Sequence, residues 1–278
     1  MSILKQLGTA FFTLCFVGSN SITQAQSLTI EKATVAIDNV NIIDSLSGNG
    51  GGARGQTLHR ADFEITITSG NAALKVITEL QAGLTRNKLL TAELNIPLSD
   101  GGNKNIVKRI YKNAAVRKII LPELNASVRS NFKIIVTIEA ASIEVQQTGN
   151  PDISGKNTKV ASVNNYRIQV GSLPCNRISK ISEMKIGSQP GLPTATVQLS
   201  GADEKAWNDQ FDNGANRVIT DGVVELLSPD LKTVILSINL KNISIVAYKT
   251  KISSSEQIAK ATFELKMGSV LIDTNPVN

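Results

Sequence analysis

Apolar and polar residues alternate with a period of two along much of this chain, which is the pattern of half-buried β-strands. The clearest stretches are residues 63–67, 132–138 and 166–170, where every second side chain is apolar. Further strands are predicted at residues 28–43 (one strand, or two broken at Asp38-Asn39), 74–80, 89–98, 116–121, 177–186, 195–199, 223–227, 234–240, 243–248 and 261–271. The chain is therefore predicted to be mostly β.

Two short segments show helical spacing instead. Ile106, Val107, Ile110 and Tyr111 recur at the spacing of an amphipathic helix, with lysines on the opposite side. Residues 200–214 begin with a helix-capping pattern and end at a glycine. Trp207 lies on the apolar stripe of this second helix, so it is expected in the core.

Turn formers and polar stretches divide the chain into five parts. Residues 1–25 are predicted to be a signal peptide, 26–145 a first β domain, 146–157 a linker, 158–273 a second β domain, and 274–278 a flexible tail. The fold class expected is two tandem β-barrel or sandwich domains, each with one short helix.

The first 25 residues have the pattern of an export signal. Lys5 precedes a short apolar run at 7–17, and small residues follow near position 25. The run is short for a transmembrane helix, which needs about 20 apolar residues. We expect an exported, periplasmic or extracellular protein with no stable membrane span once the signal is removed; an uncleaved anchor is the alternative.

The two halves also share an order of elements. The correspondences are 63–67 with 166–170, 74–83 with 175–187, 94–111 with 197–211, and 132–138 with 263–271. This order predicts a degenerate internal repeat whose first copy lacks one hairpin, unless residues 28–43 supply it. Generic strand and helix patterning is the alternative explanation.

Several segments of the second half carry a resemblance to a known family. They are YRIQVG at 166–171, RISKISEMKI at 177–186, the helix with Trp207, DGVVELLSPDLK at 221–232, LKNISIVAY at 240–248 and ATFELKMG at 261–268. In order and pattern this half resembles the contractile-phage tail tube family, which is similar to the tube protein of type VI secretion. The first half resembles it loosely.

The resemblance implies a small β-barrel or sandwich with one helix that assembles into rings, which stack into a hollow tube. Hub proteins carry two such domains in tandem, and three of their chains form a six-fold ring. An export signal departs from the family pattern, so it favours an exported relative over a part of a phage.

The residues offer no recognisable catalytic, cofactor-binding or metal-binding constellation, and we predict a protein that is not an enzyme. His59 is the only histidine, so a Ser-His-Asp or Cys-His arrangement would depend on it. It follows the Gly-rich segment 47–55, which lacks the ending of a phosphate-binding loop, and is expected on the surface or in a loop. Acids at 203–212 do not match the spacing of a calcium loop and are predicted to form a solvated helix face.

Charge and composition narrow the partners. The net charge of +6 falls to +5 when Lys5 is removed, and the cations are scattered, so no nucleic-acid motif is recognised. Aromatic residues make up 4% of the chain, which argues against a surface that stacks sugars or bases. Cys175 is the sole cysteine after signal removal, and it is either a small buried hydrophobe or an intermolecular bridge.

Self-association is therefore the leading hypothesis, with other tail-like or envelope components as further partners. Neighbouring subunits would pair through strand edges, and the candidate edges are the hairpin at 223–240 and the strands at Phe63 and Tyr166. The first alternative is an exported two-domain β-sandwich binding module or adhesin with a groove near 146–157. The second is a secreted hydrolase that uses His59 or a carboxylate pair.

Overall fold

A computed structural model describes seven stretches of the chain: residues 26–47, 56–100, 103–148, 159–187, 191–214, 220–251 and 260–274. The predicted signal, most of the Gly-rich segment, most of the predicted linker and nearly all of the predicted tail lie outside them. Residues 146–148 of the predicted linker belong to a strand.

The described residues of the first half form nine strands of varied length and one helix of 15 residues. In chain order they are β1 (Gln26–Ile30), β2 (Ala33–Ile37), β3 (Asn39–Ser47), β4 (Gln56–Thr66), α1 (Asn71–Thr85), β5 (Leu90–Asp100), β6 (Asn103–Leu121), β7 (Leu124–Asn125), β8 (Lys133–Ala140) and β9 (Ser142–Thr148).

Eight strands and one helix of 14 residues are described in the second half. They are β10 (Tyr166–Val170), β11 (Ile178–Ile181), β12 (Met184–Gly187), β13 (Thr194–Ser200), α2 (Gly201–Gly214), β14 (Thr220–Leu227), β15 (Val234–Lys251), β16 (Lys260–Lys266) and β17 (Ser269–Asp273). The predicted fold class, mostly β with one short helix in each of two β domains, is confirmed.

The two sheets repeat one arrangement. The first runs β2-β1-β5-β6-β8-β4-β3 with β9 beside β6, and the second runs β10-β14-β15-β16-β13-β11 with β17 beside β15. In each sheet the helix follows an equivalent strand. In the first, α1 follows β4, which pairs with β8; in the second, α2 follows β13, which pairs with β16. We call β1–β6, α1, β8 and β9 the first module, and β10, β11, β13–β17 and α2 the second module.

A shared β-bulge fixes the correspondence between the modules. Where β6 pairs with β8, the register shifts between Val116 and Lys118; where β15 pairs with β16, it shifts between Ile245 and Ala247. Each shift leaves one extra residue on the longer strand, which bends that strand locally. The position of the bulge makes Val116 equivalent to Ile245.

A second irregularity lies a few residues earlier in both long strands. The pairing of β6 with β5 shifts around Lys112-Asn113, and that of β15 with β14 shifts around Lys241-Asn242. Asn113 and Asn242 both have a φ of 52°, in the left-handed region that asparagine tolerates better than most residues. Two matching irregularities with the same dipeptide indicate a duplicated module.

The predicted repeat therefore exists, but three of its four correspondences are wrong; residues 132–138 and 263–271 do match at the level of the strand, β8 with β16, although not residue by residue. Phe63 on β4 pairs with Val136, and Val197 on β13 pairs with Phe263. Because the shared bulge makes Val136 equivalent to Phe263, residues 63–67 correspond to β13, with Phe63 at the position of Val197. Residues 166–170 on β10 correspond instead to β1. The first copy lacks no hairpin, since residues 28–43 supply β1, β2 and the start of β3.

Two predicted elements are wrong in type. Residues 74–80, predicted as a strand, lie in α1: Val76, Ile77 and Leu80 are fully buried at helical spacing, and tertiary packing overrides the strand preference of the β-branched residues. Residues 106–111, predicted as a helix, lie in β6. Ile110 and Tyr111 are both buried although they point to opposite faces, so adjacent apolar residues imitated a helical stripe.

Smaller differences concern strand boundaries. Residues 177–186 form β11 and β12 rather than one strand, residues 261–271 form β16 and β17, and residues 234–240 and 243–248 form one strand, β15. Residues 28–43, predicted as one strand or as two broken at Asp38-Asn39, span three strands: Asp38 separates β2 from β3 as in the second alternative, and a further turn at Glu31-Lys32 separates β1 from β2. Because β2 and β3 flank Asp38 and pair at opposite ends of the strand order, the first sheet curls into a nearly closed barrel.

The modules exchange short strands. β12, from the second half of the chain, pairs with the end of β6, and β7, from the first half, pairs with β11. Most of the buried apolar residues form one cluster that includes Phe63 and Val136 of the first module and Val197 and Phe263 of the second. The modules are thus joined by backbone hydrogen bonds and by a shared core.

Candidate functional site

The strand edges are the first candidate site, because edges carry backbone groups able to pair with another chain. The structure places β4 between β3 and β8, β14 between β10 and β15, and residues 237–240 of β15 between β14 and β17. The predicted edges at Phe63 and at 223–240 are therefore wrong. Among the described strands, β10 pairs only with β14, so Tyr166 does lie on a strand at the end of its sheet.

The strand β9 is a second edge, which the sequence analysis missed. It pairs with β6 along residues 106–112 and, within the described chain, with no other strand. Its central residue Val145 exposes 56% of its surface, among the largest values for an apolar residue here. The sequence signal was weak, since Val145 is one apolar residue in a mostly polar stretch assigned partly to a linker.

A polar cluster at one end of the first barrel is the second candidate site. Asp44 on β3 and His59 on β4 are directly paired residues, and His59 Nδ1 lies 2.8 Å from Asp44 Oδ1. Arg109 on β6 donates from Nη2 to both Asp44 oxygens at 2.8 and 3.2 Å. Tyr111, two residues along the same face of β6, is fully buried.

The predicted loop position of His59 is wrong, because His59 lies on the strand β4. It continues the inward row of Ala61, Phe63 and Ile65 on β4, and only 16% of its side chain is exposed. Alternation along this strand is the signal that could have placed it, had the strand been extended back to Gln56.

Electrostatics ties the cluster together. Burial by itself raises the pKa of Asp44, but hydrogen bonds from His59 and Arg109 and their positive charge outweigh it and hold that pKa below its usual value. Burial raises the pKa of Tyr111, although the nearby Arg109 opposes the change. Within the described chain, Arg109 Nε and Tyr111 Oη are buried without a hydrogen-bond partner.

Among its described residues, the second module has no such cluster. The shared register makes Ile238 the counterpart of Arg109 and Leu240 the counterpart of Tyr111, and both are buried apolar residues. In the part of the chain that the structure describes, the polar end therefore belongs to the first barrel. Its contacts are those of an ion-pair network that connects β3, β4 and β6.

The helix α2 carries the acids for which a calcium site was considered. Asp203 and Glu204 lie in its first turn, where negative charge is favourable, and Lys205 Nζ lies 2.6 Å from Asp209 Oδ2. Glu204 Oε1 accepts a hydrogen bond from Tyr248 Oη at 2.5 Å. In the described part of the chain, no group of three or more His, Cys, Asp or Glu side chains is placed to hold a metal ion.

Trp207 is fully buried, as predicted. Its indole Nε1–H donates to Pro174 O at 2.9 Å, and its ring centroid lies 5.4 Å from that of Phe263. Phe263 stacks on Tyr248 at 4.8 Å, which completes an aromatic group under α2.

Cys175 lies beside this aromatic group, half-buried and packed against the core. Its thiol donates to Leu173 O at 3.3 Å. Burial raises the pKa of the thiol, and the negative charge of Asp203 adds to that effect. The position fits the predicted small hydrophobe, whereas the predicted intermolecular bridge stays a prediction.

An open cleft of about 470 Å³ lies where the modules join. It is lined by residues of β7, β8 and the segment between them, with Glu64, Glu123 and Lys133 supplying charges of both signs. The groove predicted near 146–157 lies mostly outside the described residues. Within those residues, no helix is both long and apolar enough to cross a membrane.

No family model matches the chain, and no curated protein matches it significantly.

Proposed function

We propose that this chain is a non-enzymatic structural protein, similar to tail tube subunits, that self-associates through strand edges into a ring or tube-like assembly. The strand exchange within one chain is the observation that carries the proposal. β12 adds to the edge of β6, and β7 adds to the edge of β11, so this module already joins a copy of itself by edge pairing.

The edges β9 and β10 extend this argument to neighbouring chains. Each pairs on one flank among the described strands, and an unpaired flank is a template for another strand or for a covering element. A surface that differs from its partner surface makes a heterologous contact, which gives a closed ring when the rotation closes. Export to the periplasm or the extracellular space belongs to this proposal and depends on residues 1–25.

The mass of the mature protein in solution tests the proposal. Light scattering coupled to size-exclusion chromatography, repeated over a wide range of concentrations, is expected to show a defined oligomer, and negative-stain images are expected to show rings or short tubes. A monodisperse monomer at the highest attainable concentration, with no rings, would contradict it.

An exported binding module or adhesin is the second candidate, favoured by the cleft at Glu64, Glu123 and Lys133. It predicts a monomer in which ligand binding changes the chemical shifts of the cleft residues. Nuclear magnetic resonance shifts confined to this cleft on adding candidate ligands would support it, whereas a stable oligomer would favour the first proposal.

A further inference from the structure

Because the module is duplicated, each of its surfaces occurs twice in the chain, and the two copies of the β9 surface differ in what covers them. In the second module the equivalent strand is β17, and α1 of the first module lies against it. Gln81 Oε1 accepts a hydrogen bond from the Ile272 amide N–H, and Thr78 Oγ1 lies 2.7 Å from Thr274 Oγ1. Ile272 is only 5% exposed.

The strand register identifies the counterpart of Ile272. Ile272 pairs with Ile238 on β15, Val145 pairs with Arg109 on β6, and Ile238 is equivalent to Arg109. Val145 therefore occupies the position of Ile272, yet it exposes 56% of its surface where Ile272 exposes 5%. The same place on the module is covered in one copy and bare in the other.

The covering element also occurs twice. The counterpart of α1 is α2, and the fully buried residues at their centres, Ile77 and Trp207, align them. Asn208 and Phe211 then stand where Thr78 and Gln81 stand on α1. Phe211 packs only partly into the core, so this face of α2 still presents apolar surface.

Charge favours contact between α2 and the bare β9 surface. The helix contains four acids and a single lysine, whereas the stretch of β6 that lies beside β9, residues 103–115, contains three lysines, one arginine and no acid. Lys108, Arg109 and Lys112 pair with Glu93, Asp44 and Glu144, so the four cations and these three acids leave a net charge of +1 on this surface. Lys112 Nζ lies 2.7 Å from Glu144 Oε2, yet 57% of its side chain remains exposed. An acidic helix approaching this basic strand is attracted rather than repelled.

We infer that a second copy of this chain covers the Val145 surface of β9 with the Asn208–Phe211 face of its α2, as α1 covers β17 within one chain. This inference rests on the proposed self-association and specifies its contact. The contact is heterologous, since the surface given by one copy differs from the surface received by the next, so every copy both gives and receives.

Disulfide trapping tests the geometry, in a chain with Cys15→Ser and Cys175→Ser. A Gln147→Cys chain mixed with an Asn208→Cys chain is expected to form a covalent dimer, because these positions match Thr274 and Thr78. The double variant Thr78→Cys and Thr274→Cys should close a bond within one chain and serves as the positive control. Lys205→Cys, whose native side chain is 84% exposed elsewhere on α2, replaces Asn208→Cys as the negative control.

Sedimentation velocity tests the energetics with a matched pair of variants. Val145→Glu is expected to weaken association at least about tenfold, since it buries a charge at the contact and adds like charge opposite an acidic helix. Leu231→Glu, at an apolar residue that is 59% exposed in the β14–β15 turn, should leave association unchanged.

The outcomes separate the two proposals. Wild-type chains that never associate would overturn both. Chains that associate, yet respond alike to Val145→Glu and Leu231→Glu and give no Gln147–Asn208 bond, would overturn the α2 contact and leave self-association standing. Val145→Glu chains that are as stable to denaturant as the wild type, but monomeric, support the contact.

Discussion

Removal of the Asp44 charge is the sharpest test of the polar barrel end. In the described contacts Asp44 is the carboxylate that meets both Arg109 and His59, and the Arg109 side chain is only 17% exposed. Asp44→Asn keeps the shape of the side chain and removes the charge, so Arg109 would be left partly buried without its anion. We expect the folded state to be destabilised.

The magnitude follows from the exposure of the two partners. Breaking a buried pair costs about 3–5 kcal/mol, whereas an exposed pair contributes about 0–1 kcal/mol. Asp44 is 42% exposed, so solvent screens the pair and the expected loss lies between these limits, at about 1–3 kcal/mol. The control is Asp209→Asn on α2, where both partners are mostly exposed and the loss should stay below about 0.5 kcal/mol.

The pH dependence gives the same prediction an independent readout. The pKa of Asp44 is lowered in the folded protein, so its contribution is fully present above the unfolded value near 3.8 and is lost as the pH falls through the folded value. Urea unfolding of wild type and Asp44→Asn should thus differ at neutral pH and converge in acid. A gap that stays constant into strong acid, or no gap at neutral pH, would refute the role assigned to Asp44.

Three further perturbations test the packing. Burial raises the pKa of Tyr166 to about 12, so folding stability should fall as the pH rises from about 10 to 12, and urea titrations of Tyr166→Phe should show a shallower fall; an unchanged slope would contradict this. Gly222→Ala should cost about 1–3 kcal/mol in urea unfolding, because its Cβ would lie 2.7 Å from Gln169 O, and a neutral result would show that β10 can move away. Protease cleavage within residues 149–158 should leave two fragments that co-elute, because β12 stays paired with β6 and β7 with β11; separation of the fragments without denaturant would contradict the shared core.

The sequence predicted strands correctly where one face of the strand is exposed to solvent. Residues 195–199 alternate strictly, and their apolar members are buried in β13 as predicted. In residues 132–138 every second residue is apolar and buried as predicted, although Ile135 on the opposite face is apolar as well. The helix at Trp207 was also predictable, since its cap, its apolar stripe and its final glycine all agree. In these segments local pattern and tertiary environment favour the same structure.

The same reasoning failed where both faces of an element are covered. On β6, Ile110 and Tyr111 are buried on opposite faces, so the period-two signal is absent and a helix was predicted. On α1, the β-branched residues favour a strand by their local preference. The helix is stabilised instead by its packing on β6, which Gly83 allows to be close: a Cβ at this position would lie 2.7 Å from Val116 Cγ2. Such close packing is a property of the folded pair and leaves no periodic signal in either segment.

The polar cluster was hidden for a related reason. Asp44, His59 and Arg109 lie far apart in sequence, and each belongs to a different strand. They meet only because the barrel brings β3, β4 and β6 around one end. The spacing of these residues along the chain carries no signal of the contact, because His59 and Asp44 become neighbours only through the pairing of β4 with β3.

Duplication explains why the chain has both a self-covered surface and a bare one. Within one chain, α1 of the first module covers β17 of the second, and Ile272 is buried. The equivalent helix α2 and the equivalent Val145 surface of β9 lie on different modules and remain for contact with another chain. The bulges and the matching irregularities at Lys112-Asn113 and Lys241-Asn242 give both modules the same strand geometry. Association of chains through α2 and β9 would then repeat the internal contact, and its strength can be compared directly with that contact by introducing Glu at Ile272 and at Val145 in turn: the first should impair folding of one chain, the second only the joining of two.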